Sequence, residues 1–137
     1  MKSTNTSKLT VLGICIPILL LTGCNSNRVS LTKEGIVSVV KQPSEKVDIL
    51  WTDVYQQDGN TWLYSVLKQK GLGPGTIKTH VDIQMLAKNG SVLYETTVEN
   101  IYVPRNRVGK GLDWKQFRVR LPNTSMEGAM VKLTIHS

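Results

Sequence analysis

The chain has 137 residues, with 17 basic and 10 acidic side chains and a formal charge of +7. Hydrophobic residues make up 40% of it, including three Trp, four Tyr and one Phe, which is too apolar for a disordered chain and enough for one domain with one core. Two cysteines, Cys15 and Cys24, exclude a disulfide scaffold, and the basic balance points toward anionic partners.

Lys2 and Lys8 precede an apolar run from Leu9 to Leu21, interrupted by Pro17, and Thr22 and Gly23 follow it. These are the three parts of a secretory signal. The run has 13 residues, whereas a spanning helix needs about 20, so residues 1–23 read as a signal peptide and not as a membrane helix. The run ends in Leu21-Thr22-Gly23-Cys24, which resembles the lipobox of bacterial lipoproteins. The resemblance implies cleavage before Cys24, a diacylglyceryl group on its sulfur and a further acyl chain on its amine. Two or more chains hold a protein on a bilayer stably. Asn25 stands where an aspartate would mark inner-membrane retention, so the resemblance also implies the periplasmic face of the outer membrane in a Gram-negative host. Cys15 would be discarded with the signal and Cys24 capped by lipid, leaving no thiol for catalysis or metal binding.

Residues 24–34 are expected to be the lipidated terminus and tether, with Asn25 to Ser30 polar apart from Val29, and residues 35–137 the folded domain. Period-two alternation dominates that domain. Gly35 to Lys41 reads as a short strand ended by Gln42-Pro43-Ser44. Lys46 to Gln56 reads as a longer one, with Val47, Ile49 and Trp51 on one face. Asp58-Gly59-Asn60 is a tight turn. Thr61 to Lys70 returns, with Trp62, Tyr64 and Val66 on one face and Leu63 and Leu67 on the other. Gly71-Leu72-Gly73-Pro74-Gly75 breaks the chain. From Ile77 to Lys88, one face carries Ile77, Thr79, Val81, Ile83 and Met85, and the other carries His80, Asp82 and Gln84. Asn89-Gly90 predicts a two-residue hairpin turn with positive φ at both positions. Ser91 to Val103, Trp114 to Leu121 and Ala129 to His136 complete the set, joined by loops at 104–113 and 122–128. The three tryptophans are expected in the core, with a rim position facing a partner as the alternative for Trp114, which directly follows a loop.

Seven short strands with no sustained helical period predict an all-β fold, an antiparallel β-sandwich of immunoglobulin-like or fibronectin-like type. A transthyretin-like sandwich or a small barrel is the alternative. Thr79-His80-Val81-Asp82, Lys88-Asn89-Gly90, Trp114-Lys115-Gln116-Phe117 and Leu121-Pro122 together resemble Ig-like modules of small bacterial envelope lipoproteins, over about residues 47–136. That resemblance implies a fold and a compartment and carries no catalytic residue.

Three groups of residues could carry chemistry. Arg105, Arg107, Lys110, Lys115, Arg118 and Arg120 face one acid, Asp113, within a short stretch; such a patch attracts lipid headgroups, glycans or an acidic protein surface. His80 and Asp82 share a strand face, and with His136 they are the weak candidate ligands for copper or zinc; a solvated strand face and a frayed end explain them better, and the expectation is no metal or cofactor. Serines and acids are present without a nucleophile motif, a phosphate-binding loop or a dinucleotide fingerprint, so no enzyme is expected. Nucleic acid is a poor partner for an exported chain without a recognition motif. The sequence therefore predicts a lipid-anchored, non-enzymatic module that binds another envelope protein, with binding of anionic headgroups or glycans, or of a periplasmic metal, as alternatives.

Overall fold

Alternating apolar and polar residues become strands because only an extended chain places every second side chain on one face. The computed structural model describes residues 27–71, 75–105 and 113–137. Among these it contains β1 (Val29–Ser30), β2 (Val37–Gln42), β3 (Val47–Gln57), β4 (Asn60–Gln69), β5 (Ile77–Leu86), β6 (Val92–Val103), β7 (Trp114–Leu121) and β8 (Ala129–His136). They form two four-stranded sheets in the orders β1-β3-β4-β7 and β2-β8-β5-β6. The expected all-β sandwich is what the chain adopts. Its pairs are antiparallel except β2 and β8, which run parallel with Val37 opposite Ala129.

Each sheet turns an aliphatic face to the other. Val47, Ile49, Val54, Leu63 and Leu67 come from one side, and Val81, Ile83, Met85, Val103, Val131 and Leu133 from the other, all buried in one cluster. The β3–β4 turn is the tight one expected: Gln57 pairs with Asn60, and Asp58 and Gly59 both have positive φ, 51° and 76°. The β5–β6 turn differs from its expectation. Of Asn89 and Gly90 only Gly90 has positive φ, 86°, and Gly90 N–H donates to the Ala87 carbonyl at 2.8 Å. The side chain of Asn89 accepts from the Ser91 N–H at 3.0 Å. Asn89 thus stays in the ordinary region and its carboxamide stabilises a longer turn in which only the glycine is left-handed.

The chain joins the sheet within the stretch read as tether. Val29 and Ser30 pair with Gln56 and Tyr55, and Leu31 N–H donates to the Val54 carbonyl at 2.8 Å. Asp53 fixes this segment: it accepts from the Arg28 guanidinium at 3.1 Å and from the Ser30 hydroxyl at 2.5 Å.

None of the three tryptophans is in the core. Trp51 and Trp114 are 42% and 41% exposed, and Trp62 is half-buried. For Trp51 the cause is an irregularity between Ile49 and Trp51, where the pairing with β4 slips by one residue. The extra residue, Leu50, is exposed, and the alternation restarts in the opposite phase. Thr52 and Val54 then point inward and Trp51 outward. On β4 the inward set is Thr61, Leu63, Ser65 and Leu67, buried throughout, so Trp62, Tyr64 and Val66 take the outer face.

Ile83 is fully buried on β5, between β6 and β8. Ile83→Ala is expected to cost about 2–5 kcal/mol, read as a lower urea midpoint at unchanged slope. A change of less than half a kcal/mol would mean that this layer does not hold the sheets together.

Candidate functional site

Side chains of chemical interest gather on the two outer faces of the sandwich. On the outer face of the β2-β8-β5-β6 sheet, His80 of β5 stands opposite His136 of β8 in the ladder. Neighbouring residues in antiparallel register share a face, so the two rings stack, with centroids 4.8 Å apart and planes 12° from parallel. Asp82 lies two residues further along β5, on the same face. Its Oδ2 accepts from His136 Nε2 at 2.9 Å, and its Oδ1 accepts from the Thr97 hydroxyl of β6 at 2.7 Å. One ligand atom from each of His80, Asp82 and His136 lies within 4.8 Å of the others. The end of β8 is held and not frayed: the Thr79 hydroxyl donates to the His136 carbonyl at 2.5 Å, and the Ser137 hydroxyl to that of Ser44 at 2.6 Å.

A second irregularity shapes this face. Thr79 pairs with Ile101 but Val81 pairs with Val98, so both Glu99 and Asn100 lie opposite His80. Asn100 absorbs the extra residue with φ at 56°, a conformation asparagine tolerates better than most residues. Ile101 returns to the core, and Glu99 is left beside His80 and His136 on the wall of a shallow depression of about 330 Å³.

The Thr97 hydroxyl contributes most to the acidity of Asp82. Burial opposes it as the next largest effect, and the charge and hydrogen bond of His136 and the charge of His80 add smaller contributions, so that the carboxyl is held below its ordinary value of 3.8. A lowered value in the folded state means that ionised Asp82 stabilises the fold above its unfolded pKa, and that this contribution is lost as pH falls through the folded value.

The outer face of the β1-β3-β4-β7 sheet is aromatic and basic. Trp51 and Tyr55 of β3 lie beside Trp62 and Tyr64 of β4, and Arg118 and Arg120 of β7 stand opposite Tyr64 and Trp62. Trp51 meets Tyr64 edge to face, with centroids 5.3 Å apart. The Arg28 guanidinium sits 3.7 Å above the Tyr55 ring and that of Arg118 sits 4.3 Å above Trp62, both within cation–π range. Exposed tryptophans mark the two ends. Trp51 borders a depression of about 520 Å³ with Arg28 and Lys33, and Trp114 borders one of about 460 Å³ with Tyr102 and Lys115.

No family model, curated protein or solved structure matches this chain.

The basic stretch is divided by the fold. Lys115, Arg118 and Arg120 are exposed along β7, whereas Arg105 donates to the Gly71 carbonyl. Arg107, Lys110 and the lipidation candidate Cys24 lie outside the described residues. His80, Asp82 and His136, weak candidates by spacing, are brought together. Sequence reasoning missed Glu99 and Thr97, which only the β5–β6 register places there. It also missed Arg28 and the outward aromatics; the grouping of Trp62 with Tyr64, opposite Leu63 and Leu67, was the available signal.

Thr97→Val removes the main hydrogen bond to the Asp82 carboxylate. The Asp82 midpoint, followed by carboxyl-carbon NMR, should move upward toward the ordinary value. An unmoved midpoint would mean that the hydroxyl does not hold this carboxylate.

Proposed function

We propose that this chain is a lipid-anchored, non-enzymatic module of a bacterial envelope that binds an acidic protein surface through the outer face of β3, β4 and β7. The observation that carries this reading is the outward placement of all three tryptophans together with Arg28, Arg118 and Arg120. Tryptophan, tyrosine and arginine are the residues that dominate the centres of protein interfaces. Arg28 already bonds Asp53, whereas Arg118, stacked on Trp62, can turn its edge donors to a partner's carboxylates. On this face Asp53 pairs with Arg28 at 3.1 Å and Asp113 with Lys68 at 3.2 Å, Asp48 accepts from the Ile49 N–H and Glu34 borders the Trp51 depression, while Arg118 and Arg120 stand exposed along β7. A partner with unpaired carboxylates complements what is left.

Membrane attachment in this reading rests on the lipobox-like Leu21-Thr22-Gly23-Cys24. A short tether keeps the binding face close to its bilayer, so the partner is an envelope component.

Two experiments test the two halves. Cys24→Ser in the full chain should leave the membrane fraction and lose the acyl mass from its N-terminal fragment; a variant that still fractionates with membranes would remove the anchor. Photo-cross-linking of the full chain in its native envelope should yield a discrete adduct from a probe at Trp51 or Trp114. Arg118→Glu combined with Arg120→Glu should lower its yield about tenfold or more. Recovery of monomer alone, or an adduct indifferent to the charge reversal, would overturn the docking face. Adducts with lipid and not protein would assign the face to headgroups instead.

A further inference from the structure

We propose that His80, Asp82 and His136 form a binding site for a borderline divalent transition-metal ion, zinc or copper(II). This goes beyond the docking role and rests on the opposite sheet.

The donor set selects the class of metal. Two imidazoles and a carboxylate suit zinc, copper, nickel or iron, whereas calcium and magnesium demand oxygen ligands alone and more of them. Zinc sites that hold three protein ligands leave one position for water or another group, which is the number this face supplies from β5 and β8. Glu99 stands on the wall of the same depression as both histidines. Lys78 also lines that depression, and it is solvent-exposed.

Distances fit a site that closes by side-chain rotation. Ligands about 2.0–2.1 Å from a tetrahedral metal lie roughly 3.3 Å apart. The donors here span up to 4.8 Å, while His136 Nε2 and Asp82 Oδ2 are 2.9 Å apart. The widest gap narrows by about 1.5 Å and the shortest opens by about 0.4 Å as the metal replaces the shared proton. The backbone does not need to move, because the His80–His136 ladder pair fixes both Cα atoms. Thr97, which already bonds Asp82 Oδ1 at 2.7 Å, holds the carboxylate so that Oδ2 faces the imidazoles. Supporting hydrogen bonds of this kind commonly orient metal-binding carboxylates.

A solvated strand face does not require these features together. The two histidines of the chain, distant in sequence, occupy one ladder position, an acid bridges to one of them, and a bulge brings a second acid to the same wall.

The test uses the full chain, extracted from membranes in detergent with its N-terminus intact. Zinc chloride, copper(II) chloride and calcium chloride are titrated separately by calorimetry. The ring signals of the two histidines are followed by NMR for zinc, and their paramagnetic broadening for copper. The expected result is one zinc or copper per chain, shifts or broadening at both rings, and no comparable heat from calcium. His80→Ala and His136→Ala should each weaken binding at least about tenfold, and Asp82→Asn should weaken it less. Arg118→Glu, on the other sheet, should bind as the parent does, which separates failure here from failure of the docking face. Dissociation constants weaker than about 1 mM for both metals would overturn the site. So would equal binding of calcium, or undiminished binding in both histidine variants. If a histidine variant loses its β-sheet circular dichroism, the ring signals of the unsubstituted chain decide: both rings perturbed at one equivalent supports the site, and neither perturbed removes it.

Discussion

The aliphatic layer between the two sheets is the constraint on which the rest of the molecule depends. With Cys15 and Cys24 as its only cysteines, the described domain has no covalent brace, and the sheets are held by burial of Val, Leu, Ile and Met side chains. Burial stabilises at about 25 cal/mol per Å² of apolar surface, and most inward positions, the buried Thr61 hydroxyl being an exception, hold residues that pack without leaving a polar atom unpaired. The buried hydroxyls of Thr52 and Ser65 satisfy this by bonding to each other at 2.9 Å across the β3–β4 pair. Tryptophan carries an N–H that needs a partner when buried. With the gap already filled by aliphatic residues, the indoles stand outside.

Both surfaces of interest owe their form to places where the ladders slip. The slip after Ile49 turns Trp51 from the core phase to the outer phase and so extends the aromatic face across three strands. The slip opposite His80 lets Glu99 stay outward while Ile101 returns inward. One added residue reverses every side chain beyond it, because the period of a strand is two. A bulge is therefore an economical way to re-aim a functional side chain while the core on either side stays intact.

The two faces are also independent of each other. They belong to different sheets, and the apolar layer separates them. β3, β4 and β7 build the aromatic face, and Asp53 secures the start of the described chain to its edge through Arg28 and Ser30. The histidine face is built from β5, β6 and β8, and its chemistry does not require that surface to be occupied.

Much of the architecture was legible in the residues themselves. Alternation placed seven strands close to where they lie, because extended geometry imposes a local pattern that a reader can count. Asp58-Gly59 announced its turn, because left-handed conformations cost most other residues energy. Local pattern did not reveal the two-residue β1, whose Ser30 hydroxyl bonds Asp53 of β3, or the parallel pairing of β2 with β8. Nor did it reveal the slip after Ile49, which misplaced Trp51. The meeting of His80, Asp82 and His136 was decided by tertiary structure alone. Residues far apart in a chain have no spacing rule that relates them, and only the register of β5 against β8 sets one imidazole beside the other.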